Sequence, residues 1–224
     1  MNSPSSEFLW RSITSEPNTG VAIVTFDGRI DYINKQSVHI YWGEDQNLSE
    51  VEGRSMDEVL PHDFVSERLA IFREIARDHK PRLIRTIWKG LQHHAWVYPI
   101  PEEDEGQDAD PSPMRMLIIT RRTADQLDDP TIREEDGYEM VWAKQNDLGP
   151  LKQLGPRELV VLALLGQGLT LQEVAQRVHR SIKTVQTQRD SIGRKLGVRS
   201  RSELQEIVVM AGLTLRDVDI EESS

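Results

Sequence analysis

Residues 181–196 read SIKTVQTQRDSIGRKL, and this run decides the reading of the carboxy-terminal third. Val185, Ile192 and Leu196 recur at helical spacing, so they fall on one face that must be buried. Ser181 stands just before them, where a helix wants a hydroxyl to accept from its free N–H groups. The opposite face then carries Lys183, Gln186, Thr187, Asp190 and Arg194. Three further helices are predicted around it from their caps. Pro156 suits a first helical position after Gly155, with Glu158 in the first turn and Leu159, Leu162, Ala163 and Leu165 inward, before a stop at 166–168 (GQG). Thr170 and Glu173 form a capping box ahead of Leu171, Val174, Ala175 and Val178; Ser200 and Glu203 form another ahead of Leu204, Ile207, Val208 and Ala211. A short helix, a tight turn and a second helix with a polar, basic outer face is helix-turn-helix geometry, in which the second helix enters the major groove of DNA.

Charge agrees locally and disagrees globally. The 224-residue chain has a formal charge of −10. Between positions 180 and 201, however, seven cations (Arg180, Lys183, Arg189, Arg194, Lys195, Arg199 and Arg201) stand against Asp190 alone, a local charge of +6. A basic patch governs phosphate binding more than the total does.

The particular residues carry a resemblance. Leu154, Pro156, Arg157 and Glu158, then Gly168-Leu169-Thr170, Glu173 and Ala175, Lys183-Thr184-Val185, and Arg194-Lys195-Leu196-Gly197-Val198 with Ser200, Arg201, Glu203 and Leu204, together resemble the LuxR-type DNA-binding domain of bacterial regulators over 154–213. The resemblance implies a helix-turn-helix at about 169–188. It implies Gln186, Thr187 and Asp190 near base edges, Lys183, Thr184, Arg194 and Lys195 near phosphates, and the fourth helix as a dimer surface. Chemistry supports most of this, because glutamine can pair with adenine, a threonine methyl can touch thymine, and lysine and arginine neutralise phosphate. The chain departs from the family at Gln188 for its usual histidine, Gly155 for a threonine cap and Ser191 for a frequent asparagine. Gly193 within the helix is expected to cost about 1 kcal/mol relative to alanine, and Asp190 sits awkwardly beside phosphate.

Upstream the pattern changes to α+β. Residues 7–13 read as a short helix and 21–26 (VAIVTF) as a strand. Asp27-Gly28 predicts a two-residue hairpin turn with both residues at positive φ, returning through Ile30, Tyr32 and Ile33 to Asn34 as cap of a helix at 35–41. Residues 55–58 (SMDE) predict a capping box, and a longer helix from Asp63 or Ser66 buries Phe64 or Val65, Leu69, Phe72, Ile75 and Ala76. Strands are predicted at 83–88, 95–100 and 116–120, giving a five-stranded antiparallel sheet covered by helices. The order, with 20–24 (GVAIV), 27–30 (DGRI), 32–34 (YIN) and 51–55 (VEGRS), resembles a PAS sensory domain over 7–123. The resemblance implies a cavity under the helices for a ligand, a cofactor or a protein contact. His79, at the end of the long helix, and His62, before it, read as solvated or capping rather than haem ligands. His93 and His94 point to opposite faces of a strand and read as a polar pair beside a turn. Trp42, Trp88, Trp96 and Tyr98 either line that cavity or fill the core.

The expected organisation is therefore a PAS-like domain at 7–124, an acidic linker at 125–150 and an all-α four-helix domain at 151–216. The tract 101–113, crowded with acids and prolines, is expected to be a surface loop, and 138–142 a turn of helix. No cysteine is present, which excludes disulfides, thiolate metal sites and flavin–thiol adducts; no metal or cofactor is predicted, and any PAS ligand is unnamed. There is no nucleophile–base set or phosphate-cradling glycine loop, so an enzyme is not expected. The reading is a cytoplasmic transcription regulator with double-stranded DNA, a second copy of itself and RNA polymerase as expected partners, and no membrane. The alternative is a PAS-based adaptor whose helical module grips protein.

Overall fold

The structure, a computed structural model, describes residues 5–100, 114–123 and 137–218. The loop expected at 101–113 and residues 125–136 of the acidic linker lie outside the described residues. The chain divides into two compact units. Among the described residues the first comprises 5–86, 93–100, 114–122 and 137–145, and the second 87–92, 123 and 146–218.

The first unit is a sheet with helices, and only the adjoining ends of two of its strands, residues 87–88 and 91–92, are counted with the second. After α1 (Ser6–Thr14) come β1 (Thr19–Thr25), β2 (Ile30–Ile33), α2 (Lys35–Tyr41), α3 (Met56–Val59), α4 (His62–Asp78), β3 (Arg82–Trp88), β4 (Leu91–Ile100), β5 (Arg115–Arg122) and β6 (Glu139–Trp142). The strand order is β2-β1-β5-β4-β3-β6. Asn34 caps α2 as predicted: its side-chain oxygen accepts from Ser37 N–H at 2.9 Å and from Val21 N–H at 2.9 Å, so one amide ties helix to sheet. His79 ends α4 in the left-handed conformation, φ 56°, and is exposed, as a cap would be.

Several expectations are corrected. The β1–β2 turn is not a two-residue primed turn: only Gly28 has positive φ, Gly28 N–H returns to the Thr25 carbonyl, and the register shifts at Ile23/Val24. The bulge supplies the twist that a primed turn would otherwise give. Ser55 makes no side-chain cap bond; Glu58 is held instead by Arg54 at 2.8 Å. His93 and His94 lie inside β4 and both are buried, not beside a turn. The sheet has six strands rather than five, and the segment 139–142 is strand, not helix. β6 pairs in parallel with β3, placing Glu139 opposite Arg82 and Trp142 opposite Arg85. Those are the chemical partners too: Arg82 bonds Glu139 at 3.2 Å, and the Arg85 guanidinium lies 4.8 Å from the Trp142 ring centre. Every residue of β3 is buried, so its two arginines need such neighbours, and β6 supplies them.

Between sheet and helices lies a cavity of about 50 Å³, lined mainly by apolar side chains including Ile33, Met56, Phe72 and Ile118, with Ser37, Tyr41, Trp42, Thr120 and Arg68 as its polar members. Of the four aromatics weighed above, Trp42 lines it, its indole N–H donating to the Val59 carbonyl at 2.7 Å. Trp88 is buried core, and Tyr98 bonds the hydroxyl of Tyr138 at 2.8 Å. Arg68, on α4, is only 6% exposed. Its guanidinium sits 4.4 Å from the Phe64 ring centre, donates to the Thr86 hydroxyl and meets Glu67 at 3.2 Å. Burial pulls its pKa down, opposed by Tyr41 and Glu67. The Glu67 carboxylate also accepts the backbone N–H groups of Lys144 at 2.7 Å and Gln145 at 3.1 Å.

The second unit is helical from a 3₁₀ turn at Gly149–Gln153 onward, through α5 (Pro156–Gly166), α6 (Leu171–Arg177), α7 (Ile182–Leu196) and α8 (Arg201–Ala211) to a last 3₁₀ turn at Leu215–Asp217. α7 packs on α5 and α6, and α8 on α5, around Leu162, Val174, Val185, Ile192, Leu204 and Val208. At Gly166 an added Cβ would lie 2.2 Å from Val208, so the end of α5 and α8 touch through a missing side chain.

Candidate nucleic-acid interface

α7 begins where its sequence says it should. The Ser181 hydroxyl accepts from Thr184 N–H at 3.1 Å, and Gly197, φ 72°, closes the other end in the left-handed conformation. α6 and α8 open on complete capping boxes. Glu173 accepts the Thr170 N–H at 2.7 Å, and Glu203 accepts the Ser200 N–H at 2.7 Å. Bonds from the Ser200 hydroxyl first, then from the Ser200 and Arg199 N–H groups, hold the Glu203 carboxyl down at about 2. The Thr170 N–H and hydroxyl likewise keep Glu173 below the usual carboxylate range. Arg201 fastens α8 to the turn before α6, donating to the Gly168 carbonyl at 2.6 Å and to that of Leu169 at 3.2 Å.

Val185 and Ile192 are fully buried, and this fixes the rotation of α7. Lys183, Thr184, Gln186, Thr187, Asp190, Arg194 and Lys195 are all exposed. From Lys183 to Arg194 the outward stripe runs about 16 Å along the helix axis, a length a major groove accommodates. Among the described residues neither Lys183 nor Arg194 has an acidic partner. The Thr187 hydroxyl donates back to the Lys183 carbonyl at 3.0 Å, occupying its proton within the helix. Asp190 is engaged by its neighbour Arg189 at 3.2 Å, and Arg189 also donates to the Arg199 carbonyl at 2.6 Å. Ile182, 48% exposed, adds an apolar contact point in the first turn that the sequence reading did not single out.

Lys195 differs from the rest. Its ammonium bonds Glu158 of α5 at 2.6 Å. The same carboxylate accepts from the Ser191 hydroxyl at 2.8 Å and from Gly155 N–H at 2.8 Å. Partial burial raises the Glu158 pKa, but the bonds from Lys195, Gly155 and Ser191 outweigh it and the carboxyl titrates below its usual range. Glu158 thus serves twice: it caps α5, where Gly155 has no side chain to do so, and it clamps the flank of α7. Ser191 in place of the family's frequent asparagine is one of the clamp's donors. Gln188, in place of histidine, has its side-chain oxygen buried without a hydrogen-bond partner among the described residues.

Gly193 is explained by the helix end. Val198 N–H returns to its carbonyl at 2.9 Å, and a Cβ on Gly193 would stand 2.7 Å from the Val198 carbonyl oxygen. Only a residue without a side chain lets the chain turn so tightly back over the last turn of α7.

Residues 152–211 match the family described as bacterial regulatory proteins, luxR family. The oxygen regulatory protein NreC of Staphylococcus aureus strain JH9 is 39% identical over 61 residues, which cover 27% of this chain and 28% of NreC. The chain thus matches little more than a quarter of the length of such relatives. Among solved structures, a Vibrio cholera VqmA–ligand–DNA complex aligns over 98% of this chain and 95% of its own, at 16% identity and a TM-score of 0.44. The PAS domain of an HTR-like protein from Haloarcula marismortui aligns over 52% of this chain and 90% of its own, at 18% identity and a TM-score of 0.36. Sequence and geometry meet in the carboxy-terminal helices: residues 152–211 form a helix-turn-helix domain of the luxR family of bacterial regulatory proteins.

Proposed function

We propose that this chain is a cytoplasmic transcription regulator in which residues 7–124 sense a signal or a partner, 125–150 connect, and 151–216 bind promoter DNA as a dimer. One observation carries the reading. The face of α7 opposite Val185 and Ile192 presents two cations without acidic partners among the described residues, Lys183 and Arg194, with Gln186 and Thr187 between them. Lys183, Thr184 and Arg194 hold phosphates, while Gln186 and Thr187 meet base edges, the latter through its methyl because its hydroxyl is turned inward. Asp190 accepts from cytosine, and Lys195 divides its charge between phosphate and Glu158. Half-exposed Met210 on α8 supports that helix as the contact between two copies, and RNA polymerase is the expected next partner at a promoter.

Fluorescence anisotropy of the full chain on labelled duplexes, titrated over salt, tests this. Lys183→Ala and Arg194→Ala are expected to weaken binding on all sequences and each to lower the salt slope by about one. Gln186→Ala should lose discrimination between sequences more than overall affinity. Binding that ignores salt, or no binding to any promoter fragment, refutes the reading.

A further inference from the structure

The cavity of the first unit holds a cation that the fold itself only half satisfies. Arg68 offers five N–H donors, and two side chains take them: Thr86, a neutral hydroxyl, and Glu67 at 3.2 Å. Glu67 is a diluted counter-charge, because the backbone N–H groups of Lys144 and Gln145 bond the same carboxylate. Replacing a whole buried ion pair by well-packed apolar side chains is often neutral, so stability alone is a weak reason for a buried arginine. This one instead projects among Phe64, Phe72 and Ile84, into the same cavity that Tyr41 and Thr120 line with hydroxyls 3.4 Å apart. Apolar walls with a few convergent polar groups are the make-up of a small-molecule site. A volume of about 50 Å³ takes roughly four waters or a small organic molecule in their place.

We propose that this cavity binds a small organic monoanion, an aliphatic or aromatic carboxylate, whose charged end pairs with Arg68 while its hydrocarbon part lies among the apolar walls. The proposal rests on the sensing role given to this unit above. A carboxylate matches the planar fork of the guanidinium, and a low-dielectric surround strengthens the pair. The Tyr41–Thr120 hydroxyl pair supplies a donor for its remaining lone pairs, from whichever hydroxyl accepts from the other.

The test uses the full chain and isothermal titration calorimetry with two carboxylates, butanoate and benzoate, against butanamide and benzamide, which have the same skeletons without the charge. Each carboxylate is expected to bind about tenfold or more tightly than its amide. Arg68→Gln is expected to abolish that preference, and Arg68→Lys, which keeps the charge but loses the fork, to retain part of it. Amides that bind as well as carboxylates overturn the charge assignment while leaving a ligand-binding cavity in place. A preference that survives in a folded Arg68→Gln protein also overturns it, since the anion then sits elsewhere. If neither class binds, the small-molecule sensing role of the unit falls with the proposal. The comparison of acid with amide is made on the native chain, so it stands even if Arg68→Gln does not fold.

Discussion

Replacing Gly193 with alanine sets two physical rules against each other. Helix propensity alone favours alanine over glycine by about 1 kcal/mol in a helix interior. Here the new Cβ meets the Val198 carbonyl oxygen at 2.7 Å, and that oxygen is backbone in a turn closed by the Val198 N–H bond to Gly193. Relief requires moving the turn, which costs about 1–3 kcal/mol as overpacking, and loosening one hydrogen bond adds about 1 kcal/mol. Subtracting the propensity gain leaves a net destabilisation of about 1–3 kcal/mol. Amide hydrogen exchange across α7 in the full chain measures this directly, because exchange through local opening reports the free energy of that helix. Gly193→Ala is expected to speed exchange at 186–198 by a factor of roughly 5 to 150. Gly197→Ala is the companion: it has open space around it but φ 72°, so it should cost only about 1 kcal/mol from backbone strain. Slower exchange in Gly193→Ala, the result that propensity predicts, would refute the close-approach argument.

Other outcomes follow from the same geometry. Glu158→Gln keeps the shape of the clamp but loses its charge; exchange at α7 should quicken by the equivalent of about 1–2 kcal/mol, and a change under twofold would mean that Lys195 and Ser191 do not depend on it. Asp190→Asn removes the one acid from the outward face, so duplex affinity at low salt should rise about three- to fivefold, unless a cytosine contact is lost at the preferred site. The capping carboxylates set an acid limit. Glu203, Glu173 and Glu158 all have folded pKa values below their unfolded ones, so their contribution is fully present above about pH 4.5. It is lost as pH falls toward 2, the folded value of Glu203. Circular dichroism melts between pH 7 and pH 2.5 should therefore be flat down to about 4.5 and then decline.

How much of this was legible in advance depends on how far apart the cooperating residues lie. Caps are written within four residues, and Ser181, Thr170 with Glu173, and Ser200 with Glu203 all behave as their spacing says. The Glu158 clamp joins residues 37 positions apart, and no local pattern announces it. Gly193 reads as a weak helix residue until the returning Val198 is seen. β6 was missed because four residues have too little alternation to declare a strand; what makes it one is β3, whose Arg82 and Arg85 need Glu139 and Trp142 beside them. The stripe of α4 was legible in period but misplaced in phase. Phe64, Phe72 and Ile75 are buried as expected, yet Arg68 and Ile71 complete the face where Leu69 and Ala76 were predicted. A charged residue four positions from two phenylalanines was the available signal, and hydrophobic periodicity by its nature passes over it.

Glu67 joins two things that otherwise share no atoms. One carboxylate serves the cation of the cavity and the backbone at Lys144 and Gln145, the last residues before the chain passes into the second unit. An anion that pairs with Arg68, as proposed above, is expected to change the grip of Glu67 on that segment, and a change in that segment is expected to change the anion's affinity. Linkage makes the exchange symmetrical: the factor by which a bound anion changes affinity for a promoter must equal the factor by which the promoter changes affinity for the anion. Four dissociation constants close that cycle, and Glu67→Gln is the substitution expected to bring both factors toward one.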